Sequence, residues 1–183
     1  MLATFAGVVP DFISSTMITT DRLHIRPFTL KDAPFILELL NSPGWLEYIG
    51  DRGVRNEEDA RNYLKDRLIA SYTEHGFGFY YTGLVDSGEA IGMFGFAKRP
   101  FLEQPDLGFA LLPAYSGKGY AVEASKAVME YARTALNLEK LTAFTLPTNE
   151  KSIRLLERVG FHQAGPFFIP NDEEELLLMK NFE

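Results

Sequence analysis

Between Leu107 and Ala124 the chain reads Leu-Gly-Phe-Ala-Leu-Leu-Pro-Ala-Tyr-Ser-Gly-Lys-Gly-Tyr-Ala-Val-Glu-Ala, and no other stretch constrains the fold as much. An apolar run stops at Pro113, two glycines flank Lys118, and helix-forming residues resume at Tyr120. That order predicts a strand, a short glycine loop and a helix N-terminus. Such a junction gathers backbone N–H groups at the positive end of a helix dipole, where phosphate binds well. Glycines let the backbone approach a ligand closely. A phosphorylated ligand is therefore expected, although a Gly-x-Gly alone also serves as a plain turn.

Two nucleotide-binding patterns lie close to this loop, and both fit poorly. The P-loop needs G-x-x-x-x-G-K-[ST]. Here Lys118 lies between the glycines and Tyr120, not Ser or Thr, follows Gly119. The dinucleotide fingerprint needs a third glycine three residues after the second. Val122 stands there, and the acidic Glu139 precedes the next strand instead of ending it.

The chain has 183 residues, the length of one domain with a full core. A net charge of −7 argues against a nucleic-acid partner, which needs a basic face. An anionic ligand must then be held by local geometry against the general field. There is no cysteine, which excludes disulfides, zinc–thiolate sites and a thiol nucleophile; no metal is expected. No apolar run approaches the ~20 residues of a membrane span. The first 20 residues hold no Lys or Arg, so the basic start of a secretory signal is missing. A cytoplasmic location is expected, with residues 1–18 as a loosely ordered extension and Met17 as an alternative start.

Arg22 to Pro27 alternates, with Leu23 and Ile25 on one side, and predicts a strand. Thr29 and Asp32 have capping-box spacing before a helix carrying Ala33, Ile36, Leu37 and Leu40, which Pro43-Gly44 is expected to end. A second helix is expected from its cap Asn56 to Thr73, with Ala60, Tyr63, Leu64, Leu68 and Tyr72 on one face. Phe77–Leu84, Ala90–Lys98 and Asp106–Leu112 read as strands. A helix over Tyr120–Leu136 follows, with Ala121, Ala124, Val128, Tyr131 and Ala135 as its buried stripe. Then come a strand over Leu141–Leu146, a helix over Glu150–Arg158 stopped by Gly160, and a strand over Glu175–Lys180. Gly165-Pro166 is expected to break the chain. With no repeat or linker, this order predicts one mixed α/β domain over residues 19–183.

Ser116-Gly-Lys-Gly-Tyr-Ala121 resembles the Q/R-x-x-G-x-A/G signature of the GNAT superfamily of N-acetyltransferases in all but its first residue. Twenty-eight residues past Ala121, Asn149-Glu-Lys-Ser152, followed by a helix and Gly160-Phe161, resembles the family's second motif. Gly108 to Tyr115 and Arg22 to Phe28 resemble the RimJ/RimL-like branch. The resemblance runs from about residue 19 to the end. It implies the acyl-CoA N-acyltransferase fold, a central, mostly antiparallel sheet flanked by helices. It also implies acetyl-CoA as co-substrate and direct acetyl transfer to a primary amine. That amine would be a protein or peptide N-terminus, as in RimJ/RimL; a polyamine or aminoglycoside is the alternative. A CoA-binding sensor without turnover is a further one. No nucleic-acid or membrane partner is implied, and the chain would act as a monomer or homodimer.

The resemblance assigns the pyrophosphate to Ser116, Gly117, Lys118, Gly119, Tyr120 and Ala121. It places the pantetheine arm beside Phe109, Ala110 and Leu111, with Asn149 contacting the arm. Asp106 aligns with a frequent Glu of this branch and is the first choice for the base that deprotonates the amine; Glu103 is the second. Many relatives carry a tyrosine acid seven residues after the motif Asn, where this chain has Leu156. Ser152 is then the candidate partner of the leaving sulfur. On the acceptor side, Trp45, Tyr48, Phe77, Phe79 and Tyr81 are candidate pocket aromatics. Asp51, Glu57, Glu58 and Asp59 are candidate attractors of a cation. His24 and His75 carry no catalytic pattern.

Overall fold

A computed structural model describes residues 18–183. The expected extension, Ile18 apart, and the alternative start at Met17 lie outside the described residues.

Alternation in Leu23–Pro27 (β2) turns Leu23 and Ile25 fully inward. A two-residue edge strand, Ile18–Thr19 (β1), pairs with it. Phe79–Leu84 (β3), Ala90–Ala97 (β4), Asp106–Leu111 (β5), Thr142–Thr145 (β6), His162–Phe167 (β7) and Leu176–Lys180 (β8) complete one eight-stranded sheet. Its order is β1-β2-β3-β4-β5-β6-β8-β7. Every neighbouring pair is antiparallel except β5 and β6, which run parallel. The mostly antiparallel mixed sheet is the one expected.

Helices cover both faces. On one face lie Ala33–Leu40 (α1), Pro43–Tyr48 (α2) and Glu57–Tyr63 (α3), while Ala70–His75 (α4) turns Tyr72 to the other, against Tyr80. The α1–α3 side of the core is built on Phe28, Ile36, Leu39, Trp45, Leu64 and Met93. Tyr120–Ala135 (α5) and Glu150–Arg158 (α6) cover the other face, around Leu23, Phe94, Leu107, Val128 and Leu156. The buried stripe of α5 is Ala124, Ser125, Val128 and Ala132, so Tyr131 and Ala135 sit off its centre. No helix among the described residues is long and apolar enough to cross a membrane.

Three local expectations change. Pro43 does not end the helical region; it starts α2 from the N1 position, where its missing N–H costs nothing. The long helix begins at its Asn56 cap but changes to a π-helical stretch over Leu64–Ile69 before continuing as α4. Gly165-Pro166 does not break the chain. It lies within β7, the outermost strand, where a residue lacking an N–H is tolerated and the ladder slips between Gln163 and Gly165.

Candidate active site

β5 pairs with β4 along its whole length but with β6 only at Asp106–Thr142. The sheet therefore splits beyond that point, toward the C-terminal ends of β5 and β6. Thr142 N–H donates to Pro105 C=O at 2.9 Å. Backbone polar groups alternate sides along a strand. So Phe109 and Leu111 turn theirs into the split, while Ala110 turns its own to Met93 on β4. Of the three residues expected beside the pantetheine arm, two offer free backbone groups.

The glycine loop closes the open end of the split. Pro113–Tyr115 forms a 3-10 turn, and Gly117 (φ 77°) and Gly119 (φ 83°) take left-handed conformations. Those values strain any residue with a Cβ. The two reversals bring the chain into α5 with Gly119 as N-cap. None of the N–H groups of Gly117, Lys118, Gly119, Tyr120 or Ala121 has an acceptor among the described residues. Five unpartnered donors on a helix N-terminus fit a pyrophosphate. Ser116 brings no basic group, and Lys118 packs its ammonium over Tyr115 at 5.4 Å.

Arg22, read from the sequence as the start of a strand and of the RimJ/RimL-like N-terminal stretch, ties this loop down. Its Nη1 donates to Lys118 C=O at 3.0 Å and its Nε to Glu123 in the first turn of α5 at 2.7 Å. Thr20 Oγ1 donates to the same carboxylate at 2.6 Å. Burial would lift the Glu123 pKa, but these bonds override it and hold the carboxyl below the ordinary range. The β1–β2 turn thus pins the loop and leaves a guanidinium beside Gly119.

At the start of α6, Asn149 Oδ1 accepts from Ser152 N–H at 3.2 Å, so Asn149 caps the helix. Ser152 is half-buried and its hydroxyl has no hydrogen-bond partner among the described residues. Leu156, one turn on, is core at 1% exposure and brings no proton.

Asp106 stands at the closed end of the split, 4% exposed. Its side chain shares a face with Ala110, toward α1 and α3. Arg99 Nε donates to it at 3.0 Å. Burial pushes its carboxyl above the ordinary range, and Arg99 pulls it partly back. A buried carboxylate with a raised pKa suits a general base near neutral pH. Asp106 opens β5 at the point where it pairs with β6, and Ser152 sits in the first turn of α6. The second choice, Glu103, is exposed in the β4–β5 loop.

Arg99 also lies over the ring of Phe144 on β6 at 5.7 Å, so it bridges the split on the Asp106 face. Arg99 was not singled out by sequence reasoning; no local pattern links it to Asp106 and Phe144. The expected acceptor residues fare differently. Trp45, Phe77 and Tyr81 are buried in the core, and Tyr48 is 41% exposed. Phe79 is half-buried, packed beside the α1–α3 core. Asp51 pairs with Arg55, Glu57 with Arg61 at 3.5 Å, and Asp59 accepts from Arg55 N–H at 2.9 Å. His24 packs against Tyr81, and His75 against Phe77.

Residues 22–162 match the family model described as "Acetyltransferase (GNAT) domain". The chain is 31% identical over 150 residues to the "Uncharacterized N-acetyltransferase YnaD" of Bacillus subtilis, covering 82% of this chain and 85% of the relative. It is 25% identical over 173 residues to the spermidine N(1)-acetyltransferase of Escherichia coli, covering 91% and 89%. A crystal structure of an acetyltransferase from Agrobacterium tumefaciens superposes with a TM-score of 0.76 at 28% identity, covering 97% of this chain and all of the other.

Proposed function

The chain belongs to the GNAT acetyltransferase family, and from that membership we propose that its split sheet transfers acetyl from acetyl-CoA to the N-terminal amine of a peptide or protein. The observation that carries this reading is the row of five unpartnered N–H groups from Gly117 to Ala121, beside the open edge of β5. These groups bind the pyrophosphate, on a loop that Arg22 and Glu123 hold in place. Phe109 and Leu111 bind the pantetheine arm as an added strand would. Bound acetyl-CoA supplies an activated acyl group, so the chain needs no nucleophile of its own, in keeping with its lack of cysteine.

The remaining chemistry is proton movement. An amine with a pKa of ~8 to 10 is largely protonated at pH 7 and must lose a proton. Asp106 takes it at its free oxygen, directly or through water, while Arg99 holds the other oxygen in place. Ser152 Oγ hydrogen-bonds the departing sulfur. The N-terminal-amine reading rests on the RimJ/RimL-like residues around Pro113, Tyr115, Asn149 and Ser152. The name of the spermidine relative raises a polyamine acceptor; of the carboxylates expected to attract such a cation, Asp51 and Glu57 pair with arginines and Asp59 accepts from Arg55 N–H, while Glu58 has no partner among the described residues.

The test is thiol release from acetyl-CoA with short peptides, spermidine and an aminoglycoside, alongside calorimetric CoA binding. Release with peptides supports the reading. Tight CoA binding with no release for any amine marks a binder without turnover, and no CoA binding defeats the reading altogether.

A further inference from the structure

Phenylalanines frame the Asp106 end of the split from both sides. On the β5 side, Phe79 is the register partner of Gly95 on β4, and Gly95 is the partner of Gly108 on β5. The Phe79 ring crosses this bare backbone: a Cβ at Gly108 would stand 2.8 Å from its Cε1 and Cζ. Gly108 follows Asp106 by two residues, so the ring and the carboxylate share one face of β5. On the β6 side, Thr142 pairs with Asp106, and Phe144, two residues on, turns its ring to that same face. Arg99 spans the gap between the strands, with Nε on Asp106 at 3.0 Å and its guanidinium 5.7 Å from the centre of the Phe144 ring.

Phe144 begins a row of rings. Its centre lies 5.7 Å from that of Phe167 on β7, and Phe167 lies 6.2 Å from Phe101 in the β4–β5 loop. Phe101, Phe144 and Phe167 belong to neither hydrophobic core. The core under α1–α3 reaches Ala110 on β5 and includes no residue of β6, β7 or β8. The three rings, like that of Phe79, are therefore left half-buried. They stand around a carboxylate that is 4% exposed, so the site is apolar at its walls and charged at one point. Burying a bare ion in such a place is costly. An amine attached to an apolar body suits it: ring faces hold a cation as it approaches Asp106, and the body covers the rings.

We propose that the acceptor carries a large apolar or aromatic group next to its amine, seated between Phe79 on one side and Phe144, backed by Phe167, on the other, while Asp106 faces the amine. This rests on the reading of the split as the acetyl-transfer site, and names the acceptor class for it. The group is either the side chain of one of the first two residues of a peptide or the ring of a small arylalkyl amine. Phe79 and Phe144 set specificity, and the missing side chain of Gly108 admits the Phe79 ring to the split.

Five acceptors distinguish these cases: phenylalanyl-alanine amide, alanyl-phenylalanine amide, 2-phenylethylamine, alanyl-alanine amide as the plain comparison, and spermidine. Steady-state thiol release gives kcat/KM, and calorimetry in the presence of CoA gives binding without turnover. At least one ring-bearing acceptor is expected to exceed alanyl-alanine amide at least tenfold, and which one identifies the source. Phe144→Ala is expected to lower that preference at least threefold through KM, while CoA affinity stays at the wild-type value. A wild-type preference under tenfold, spermidine as the best acceptor, or a drop under threefold in Phe144→Ala overturns the inference. Where Phe144→Ala does not fold, the wild-type comparison decides alone. If no acceptor releases thiol, acetyl transfer to these amines fails, and calorimetry decides the apolar question. Binding of a ring-bearing amine at least tenfold tighter than that of alanyl-alanine amide supports the inference, and anything less overturns it.

Discussion

The two sides of the split offer a ligand different groups. Toward α5, the free groups are backbone N–H and C=O, fixed by the left-handed φ of Gly117 and Gly119 and by the one-sided pairing of β5. Toward α1 and α3, they are side chains: Asp106, Arg99 and Phe144 come from three separate segments. A backbone site is written in a contiguous run of residues. A side-chain site depends on which segments meet, and its specificity changes one residue at a time while the donor site stays constant.

If the two sides are independent, Asp106→Asn is the largest single blow. It removes the base, and kcat/KM is expected to fall about 100- to 10,000-fold with CoA affinity unchanged. A matching loss of CoA binding in calorimetry would join the two sides into one. Gly119→Ala attacks the other side. A Cβ at φ 83° costs about 1–2 kcal/mol, so CoA affinity is expected to drop about tenfold. kcat at saturating acetyl-CoA should hold, and a fall in kcat of the same size would contradict the division. Ser152→Ala is expected to lower kcat about two- to tenfold, the worth of one hydrogen bond, with both KM values steady.

The smallest effect at neutral pH is that of Arg99→Gln, read from the pH profile. Asp106 must be ionised to accept a proton, so the rate falls as pH drops through its pKa. Burial already lifts that pKa and Arg99 lowers it. Without Arg99 the acid limb of kcat/KM is expected to move to higher pH. A limb that stays in place, or moves lower, separates Arg99 from Asp106.

Capping residues were legible wherever the signal was local. Asn56 and Asn149 cap helices through their own side chains, as their positions before apolar-periodic runs predict. Gly165-Pro166 misled because the rule against proline in strands has an exception at sheet edges, and strand order is not a local property. Trp45 and Tyr81 were proposed for a pocket and lie in the core, since an aromatic looks the same in a sequence whether it faces solvent or packing. Arg22 was read as strand because its partners, Lys118 and Glu123, lie about 100 residues away.

The sequence by itself determined the local form of the glycine loop: glycines at 117 and 119, with an apolar strand before them and a helix after them, give left-handed turns into a helix N-terminus, because φ above zero and a helix start follow from residue type and order. Only the tertiary structure decided the acceptor side. The parting of β5 from β6 beyond Thr142 opens the cleft, and the β4–β5 loop brings Arg99 onto Asp106 and Phe144 beside it. No spacing encodes those meetings, because they depend on how distant segments pack around a shared core.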